Sequence, residues 1–273
     1  MMFERIGLLA NPDRPGAVSL ADTARAYLTE GGVICLDPIA DNDVRPDMIL
    51  TFGGDGTFLI GARYAMMYDI PLMGINLGTV GFLTEAEPDS LSEALDAIIH
   101  DNCRIEERML LSVLNAKNGD IYHALNDVVI TRGGYARLIR VACMVNGEQI
   151  GIFTSDGMIA ATPTGSTGYS LSAGGPIVEP GMNCIVLTPV CAHSLQRCPC
   201  IVSAQSDIRF RLQPERRQTA ELQIDGISMG TLEAGDEIVV TGAEKRIRLL
   251  RLHPYHFYSL LHTKLSEWGS NHE

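Results

Sequence analysis

Positive charge is scarce in this sequence: 21 Lys and Arg stand against 33 Asp and Glu, a formal net charge of -12. Nucleic acid and anionic membranes attract proteins chiefly through Lys and Arg, so neither is an expected partner. Long apolar runs are missing too. No stretch approaches the roughly 18 uncharged apolar residues of a membrane helix, and Glu4 and Arg5 precede only the brief run Ile6 to Ala10. A cytoplasmic location is the expectation. The seven cysteines are an odd number, scattered from Cys35 to Cys200 without regular spacing, which argues for reduced thiols and against a disulfide framework. Cys191, His193, Cys198 and Cys200 lie near one another, but Cys198-Pro199-Cys200 is too tight for the usual zinc-ligand pair. Two nucleotide signatures are absent as well, the Gly-x-x-x-x-Gly-Lys-Ser/Thr loop and Gly-x-Gly-x-x-Gly. That excludes an ordinary P-loop enzyme and a conventional Rossmann dehydrogenase.

What is present reads as a folded chain of 273 residues, 46% apolar and 20% charged. Its first part alternates short apolar runs with helical stretches. Ile6 to Asn11, Val33 to Leu36, Met48 to Phe52 and Leu72 to Ile75 read as strands; Val18 to Glu30, Phe58 to Tyr68 and Leu91 to Ile99 read as helices. This is βαβ patterning, hence an α/β domain with an open, mainly parallel sheet over residues 1–102, ligands gathering at the strands' C-terminal ends. Beyond Asn102 the runs turn rich in Val, Ile and Leu and are punctuated by Asn118-Gly119, Asn146-Gly147, Asp225-Gly226 and Gly235-Asp236, which are hairpin chemistry. Residues 103–254 therefore read as a β-rich domain. A last amphipathic helix, within 255–273, carries Phe257, Leu260, Leu261 and Leu265 at helical spacing and is expected to pack back on the body.

Three constellations carry chemistry. Gly53-Gly54-Asp55-Gly56-Thr57 follows an apolar strand and opens a helix. Glycines admit close approach of a ligand and a helix N-terminus favours anions, so the turn suits phosphate. Asp55 does not suit phosphate unless it holds a cation or takes a proton from an attacking hydroxyl, and the motif thereby points to phosphoryl transfer. The bland alternative is that Asp55 or Thr57 caps the helix. The second constellation is the uncharged stretch Thr162 to Pro176, rich in Gly, Ser and Thr. Such composition commonly makes a linker, but Pro163, Tyr169, Leu171 and Pro176 are anchors, and hydroxyls with an aromatic face can hold phosphate, ribose and base. The third is Asn126-Asp127, which interrupts an apolar strand and offers an amide and a diol-binding acid; a polar pair at a sheet edge is the other reading. Arg132, Arg137 and Arg140 follow and could supply charge to phosphates, or line a solvated strand face.

Taken together, Gly53 to Thr57, Gly74-Ile75-Asn76-Leu77-Gly78-Thr79-Val80-Gly81-Phe82-Leu83-Thr84, Asn126-Asp127 and Ser155-Asp156-Gly157 through Pro176 resemble the NAD kinases. The glycine-aspartate motif alone is shared with lipid kinases and 6-phosphofructokinases; the hydroxyl-rich motif is the specific part. The resemblance implies an α/β domain followed by a β-rich domain, with the active site in the cleft between them, and transfer of the terminal phosphoryl group of ATP to the 2′-hydroxyl of the adenosine ribose of NAD. It makes Asp55 the base, with Gly56 beside it at the substrate. Phe82, Asn126, Asp127, Asp156, Thr167, Gly168, Tyr169 and Ser172 become the NAD site, with Arg137 and Thr154 as further contacts. Gly53, Gly54, Gly56 and Thr57 would hold the ATP phosphates, a divalent metal such as Mg²⁺ would assist, and a homo-oligomer, dimer or tetramer, is expected, in which Cys191 to Leu195 can touch a neighbour's substrate.

This sequence departs from relatives at Gly168, where many have Ala, at Asp127, where some have Glu, at Ala192, where Pro is frequent, and at Ile227, where Gln often follows the Asp-Gly turn. Rival readings are a lipid or sugar kinase with the same glycine-aspartate motif, or a non-catalytic dinucleotide sensor. The first needs a membrane-facing apolar or basic surface that the composition does not offer; the second has no use for Asp55.

Overall fold

A computed structural model describes residues 3–39, 44–78, 81–133, 138–193, 198–214 and 218–270. Two compact units divide the chain: residues 1–107 with 247–273, and residues 108–246. In chain order the elements are β1 (Arg5–Ala10), α1 (Ala17–Glu30), β2 (Ile34–Leu36), β3 (Met48–Phe52), α2 (Asp55–Tyr68), β4 (Leu72–Ile75), α3 (Leu91–Ile99), β5 (Arg104–Asn115), β6 (Ile121–Ala124), β7 (Asp127–Arg132), β8 (Ile139–Val145), β9 (Glu148–Ser155), β10 (Gly157–Ala161), the single turn α4 (Tyr169–Ser172), β11 (Cys184–Val190), β12 (Cys200–Ser203), β13 (Ile208–Leu212), β14 (Thr219–Ile224), β15 (Ile227–Glu233), β16 (Glu237–Arg251) and α5 (Phe257–Ser270).

In the first unit the strands run parallel in the order β2-β1-β3-β4, and the end of β16 joins β4 in parallel at Leu249 opposite Leu72. Every residue of β3 and β4 is buried, as parallel strands covered on both faces require. Helix α1 turns Ala17, Ala21, Ala24 and Leu28 inward and α3 turns Leu91, Ala94, Leu95 and Ile98 inward, onto Ile6, Leu8, Met48, Leu50 and Phe52. The glycine turn emerges at the C-terminal end of β3, where α/β sheets collect ligands. In α5, Phe257 is buried and meets Phe82 with ring centroids 6.4 Å apart. Leu260 and Leu261 are half-buried, whereas Leu265, expected on the packed face, is 44% exposed, so that face is narrower than the leucine spacing implied.

The second unit is antiparallel. One sheet runs β16-β13-β8-β9, the other β12-β11-β10-β7-β14-β15, while β6 pairs with β5. Strand alternation sorts the side chains: Val128, Ile130, Met158 and Ala160 share a core with Ile208, Phe210 and Leu212, while Val129, Ile159 and Ala161 face a second cluster with Val178 and Val186. Along β13, Arg209 and Arg211 alternate with the three buried apolar residues. The hairpin turns Asn146-Gly147 (φ 53° and 83°) and Asp225-Gly226 (47° and 78°) are left-handed at both positions, the geometry two-residue hairpin loops demand.

Candidate active site

The glycine turn is built as a strand-to-helix junction. Gly53 donates its amide to Ile75 at 2.9 Å, and Gly54 is extended (φ -97°, ψ -168°) at the head of α2. A side chain on Gly53 would collide with Thr57, whose hydroxyl lies 2.1 Å from where that Cβ would be. Among the described residues no side chain caps the helix, so the capping reading of Asp55 and Thr57 fails. Instead the Asp55 carboxylate reaches across the sequence to accept the amides of Phe82 at 3.1 Å and Leu83 at 3.2 Å. Room for it exists because residue 81 is glycine: a Cβ there would lie 2.1 Å from Asp55 Oδ1.

The loop that holds Asp55 is itself pinned. Arg251, almost wholly buried, pairs with Glu85 at 2.9 Å and Glu106 at 2.7 Å and donates to the Leu83 carbonyl at 3.3 Å, and the Tyr255 hydroxyl donates to the Phe82 carbonyl at 3.1 Å. Burial lifts the Asp55 carboxyl above the ordinary carboxylate range, overcoming the amides of Leu83, Phe82 and Thr84 and the positive charge of Lys264, which pull it down. A carboxylate lifted in this way is a stronger base than a solvated one. The leading amides of α2, lacking intrahelical acceptors, complete an anion-favouring turn.

In the second unit the hydroxyl-rich stretch is no linker. Its residues Thr164 to Thr167 form a short 3-10 turn, followed by α4. Ser166 donates to Pro163 at 2.7 Å and accepts the Val178 amide at 2.9 Å, Ser170 bonds the Thr188 hydroxyl at 2.9 Å, and Thr162 donates to the Leu125 carbonyl at 2.5 Å. The buried hydroxyls thus fasten the loop to the sheet, while Tyr169 and Ser172 stay exposed and Thr167 and Gly168 half-buried. Gly165 presses on the backbone of Asn126; a Cβ there would lie 2.1 Å from its carbonyl oxygen.

Asn126 lies in the gap between β6 and β7, and Asp127 opens β7. The Asn126 carbonyl accepts the Thr162 amide at 2.9 Å, yet its side-chain Oδ1 is buried without a hydrogen-bond partner among the described residues. A buried acceptor left open costs free energy and calls for a ligand to satisfy it. Asp127 is 5% exposed; burial first, and the nearby charge of Asp225 second, push its carboxyl up to about 7. Partial burial also lifts the Tyr169 phenol, with Cys191, Asp156 and Asp127 close enough to raise it further. Asp156 sits at the β9–β10 junction and accepts Arg132 Nε at 2.8 Å. Thr154, in β9, accepts the His193 amide on its carbonyl at 2.9 Å.

The structure therefore gathers Asn126, Asp127, Asp156, Gly168 and Tyr169 in the second unit, and Gly53 to Thr57 with Phe82 in the first. Arg137, Thr79, Val80 and the segment Ser194 to Arg197 lie outside the described residues. Arg132 is bound to Asp156 rather than standing as a lone cation. Sequence reasoning missed Gly81, Arg251 and Tyr255, and read Asp225 only as a turn residue; a glycine 26 residues after Asp55 carries no local sign that the two meet.

A carboxylate held by backbone amides beside an anion-favouring turn fits a class, the phosphotransferases acting on a hydroxyl. Comparison with known proteins makes this particular. The ATP-NAD kinase N-terminal domain matches residues 36–103 and the ATP-NAD kinase C-terminal domain residues 125–252. An NAD kinase of Lachnoclostridium phytofermentans is 34% identical over 97% of this chain and all of that protein, and one of Geobacter sulfurreducens 39% identical over 98% and 99%. Among solved structures, a yeast NADH kinase complexed with NADH superposes with a TM-score of 0.81 at 27% identity, covering 92% of this chain and 84% of that one. An NAD kinase from Archaeoglobus fulgidus in complex with ATP gives 0.72 at 28% identity, over 90% and 92%. The chain belongs to the NAD kinase family.

Proposed function

We propose that this chain transfers the terminal phosphoryl group of ATP to the 2′-hydroxyl of the adenosine ribose of NAD, giving NADP, with Asp55 as the general base. The observation that carries the role of Asp55 is its carboxyl group, raised by burial and fixed by the amides of Phe82 and Leu83 at the head of α2. The hydroxyl proton passes to Asp55, the freed oxygen forms a bond to the γ-phosphorus, and the bond from that phosphorus to the β–γ bridging oxygen breaks, releasing ADP. Amides of Gly54, Gly56 and Thr57 hold the donor phosphates; that of Gly53 is already given to the Ile75 carbonyl, so Gly53 serves by its lack of a side chain. Asn126 and Asp127 take the ribose and amide groups of NAD; Asp156, Thr167, Gly168, Tyr169 and Ser172 line the rest, with Phe82, Thr154 and Arg137 as further contacts. Little covalent chemistry is asked of the protein, so positioning and electrostatics supply most of the acceleration.

A chain of net charge -12 needs added positive charge to receive two phosphate-bearing substrates. Among the described residues no group of three or more His, Cys, Asp or Glu could cage a metal. A divalent ion, Mg²⁺, fits the alternative of arriving on the ATP phosphates and keeping most of its waters, which leaves Asp55 free for the proton. Bound there, the metal would neutralise charge on the transferring phosphate. A homo-oligomer in the cytoplasm is part of the same reading. Purified protein incubated with NAD, ATP and Mg²⁺ is expected to form NADP; phosphorylation of a lipid or sugar instead, or dinucleotide binding with no product, would replace this function with a rival.

A further inference from the structure

Asp225 sits at the corner of the β14–β15 hairpin with φ of 47°, a left-handed conformation that Asp tolerates better than most residues. From that corner its carboxylate accepts three consecutive amides a hundred residues away in sequence: Leu125 at 2.8 Å, Asn126 at 2.7 Å and Asp127 at 3.0 Å. Its own amide donates to the Asp127 carbonyl at 3.0 Å, closing the link in both directions. We propose that Asp225 is a positioning residue of the dinucleotide site, a carboxylate clamp that sets the backbone of Asn126 and Asp127 and so aims both side chains at NAD. This rests on the reading that Asn126 and Asp127 hold NAD.

Asp225 is what holds the three amides of this segment. Residues 125 and 126 lie between β6 and β7, outside the ladder that orders the rest of the sheet. The Thr162 amide and hydroxyl fix the carbonyls of Asn126 and Leu125; the amides on the same stretch are fixed by Asp225. Hydrogen bonds to an ionised acceptor are stronger than neutral ones, and three converging on one carboxylate also fix its charge next to Asp127. That charge is the second reason, after burial, that the Asp127 carboxyl retains its proton far above the ordinary range. Asp127 is then presented as a group able both to donate and to accept, which suits a ribose diol or an amide.

The test compares D225N with N126A and D127A in steady-state kinetics with NAD and ATP. Asn accepts the left-handed corner, but its NH₂ would oppose amides that the carboxylate accepts. In D225N the KM for NAD is expected to rise by about tenfold or more while the KM for ATP stays within about twofold, because only the aim of the NAD contacts is altered. Adding D225N to N126A/D127A should then cost less than about threefold further, since a residue acting through another is not additive with it. Raised KM in N126A and D127A with an unaltered KM in D225N, or full additivity, overturns the clamp alone; unaltered KM in N126A and D127A overturns the NAD-site reading beneath it. Hydrogen exchange on the unsubstituted enzyme needs no variant to fold. Slow exchange at the amides of Leu125, Asn126 and Asp127 is expected, and exchange as fast as at Asn118-Gly119 would overturn the proposal.

Discussion

Replacing Gly165 with alanine tests how the hydroxyl-rich loop shapes the NAD site. The added Cβ would lie 2.1 Å from the Asn126 carbonyl oxygen, 2.5 Å from its carbonyl carbon and 2.7 Å from its Cα. All three are backbone atoms, and that backbone is fixed on one side by the Thr162 amide at 2.9 Å and on the other by Asp225 at 2.7 Å. Relief requires a displacement of about 1 Å to restore ordinary contact. Overpacking of that kind costs about 1–3 kcal/mol, which lowers Tm by on the order of 2–5 °C in a protein of this size. A misplacement of about 1 Å at a substrate contact costs on the order of a hundredfold in kcat/KM for NAD. Gly168→Ala is the internal control, because its Cβ would meet Gly165 O at 3.4 Å and Asn126 Nδ2 at 3.8 Å, ordinary contacts. It should stay within about threefold of the parent. The assay is NADP formation at varied NAD together with thermal unfolding. A G165A enzyme with unaltered kcat/KM, or G168A as damaging as G165A, would refute the reasoning.

Other perturbations follow from the same geometry. Gly81→Ala puts a Cβ 2.1 Å from Asp55 Oδ1; displacing the base should cut kcat by about tenfold or more at little cost in Tm, and an unaltered kcat would separate the loop from the chemistry. Asp127 holds its proton up to about 7 in the folded protein but only to about 3.9 when unfolded. Its contribution is therefore complete below about pH 4 and lost as pH rises through about 7, on the order of 4 kcal/mol relative to D127N; denaturant titrations should show the gap between the two proteins opening over that window, and a constant gap would contradict the proton's location. Arg251→Ala leaves Glu85 and Glu106 without their buried partner and should destabilise by about 3–5 kcal/mol in the same titrations; a loss below about 1 kcal/mol would mean water enters freely there.

Where the chain's local pattern carries the physics, the sequence is readable. Met48 to Phe52 followed by glycine states both a buried strand and a tight turn into a helix, and both are found. Asn146-Gly147 and Asp225-Gly226 name their own turns because few other residues accept positive φ. The anchors Pro163 and Tyr169 correctly mark the hydroxyl stretch as ordered. What stayed hidden was pairing at a distance. Nothing near Asp225 says that its carboxylate grips residues 125 to 127, and nothing near Gly81 says that Asp55 lies against it. Arg132 looked available for phosphate because ion pairing with Asp156 depends on how β7 and β10 align, not on spacing. The hydroxyls of the stretch Thr162 to Pro176 looked ready for a ligand, yet the loop uses those of Ser166 and Ser170 for its own backbone and for Thr188.

Asp55 is the proton acceptor on which the proposed transfer depends, and the Asp55→Asn variant tests that most directly. Asn keeps the size of the side chain but cannot take the proton, so turnover with NAD, ATP and Mg²⁺ should fall by about a hundredfold or more while the affinity for NAD, measured by calorimetry, stays nearly unaltered. Near-normal turnover in that variant would contradict the assignment.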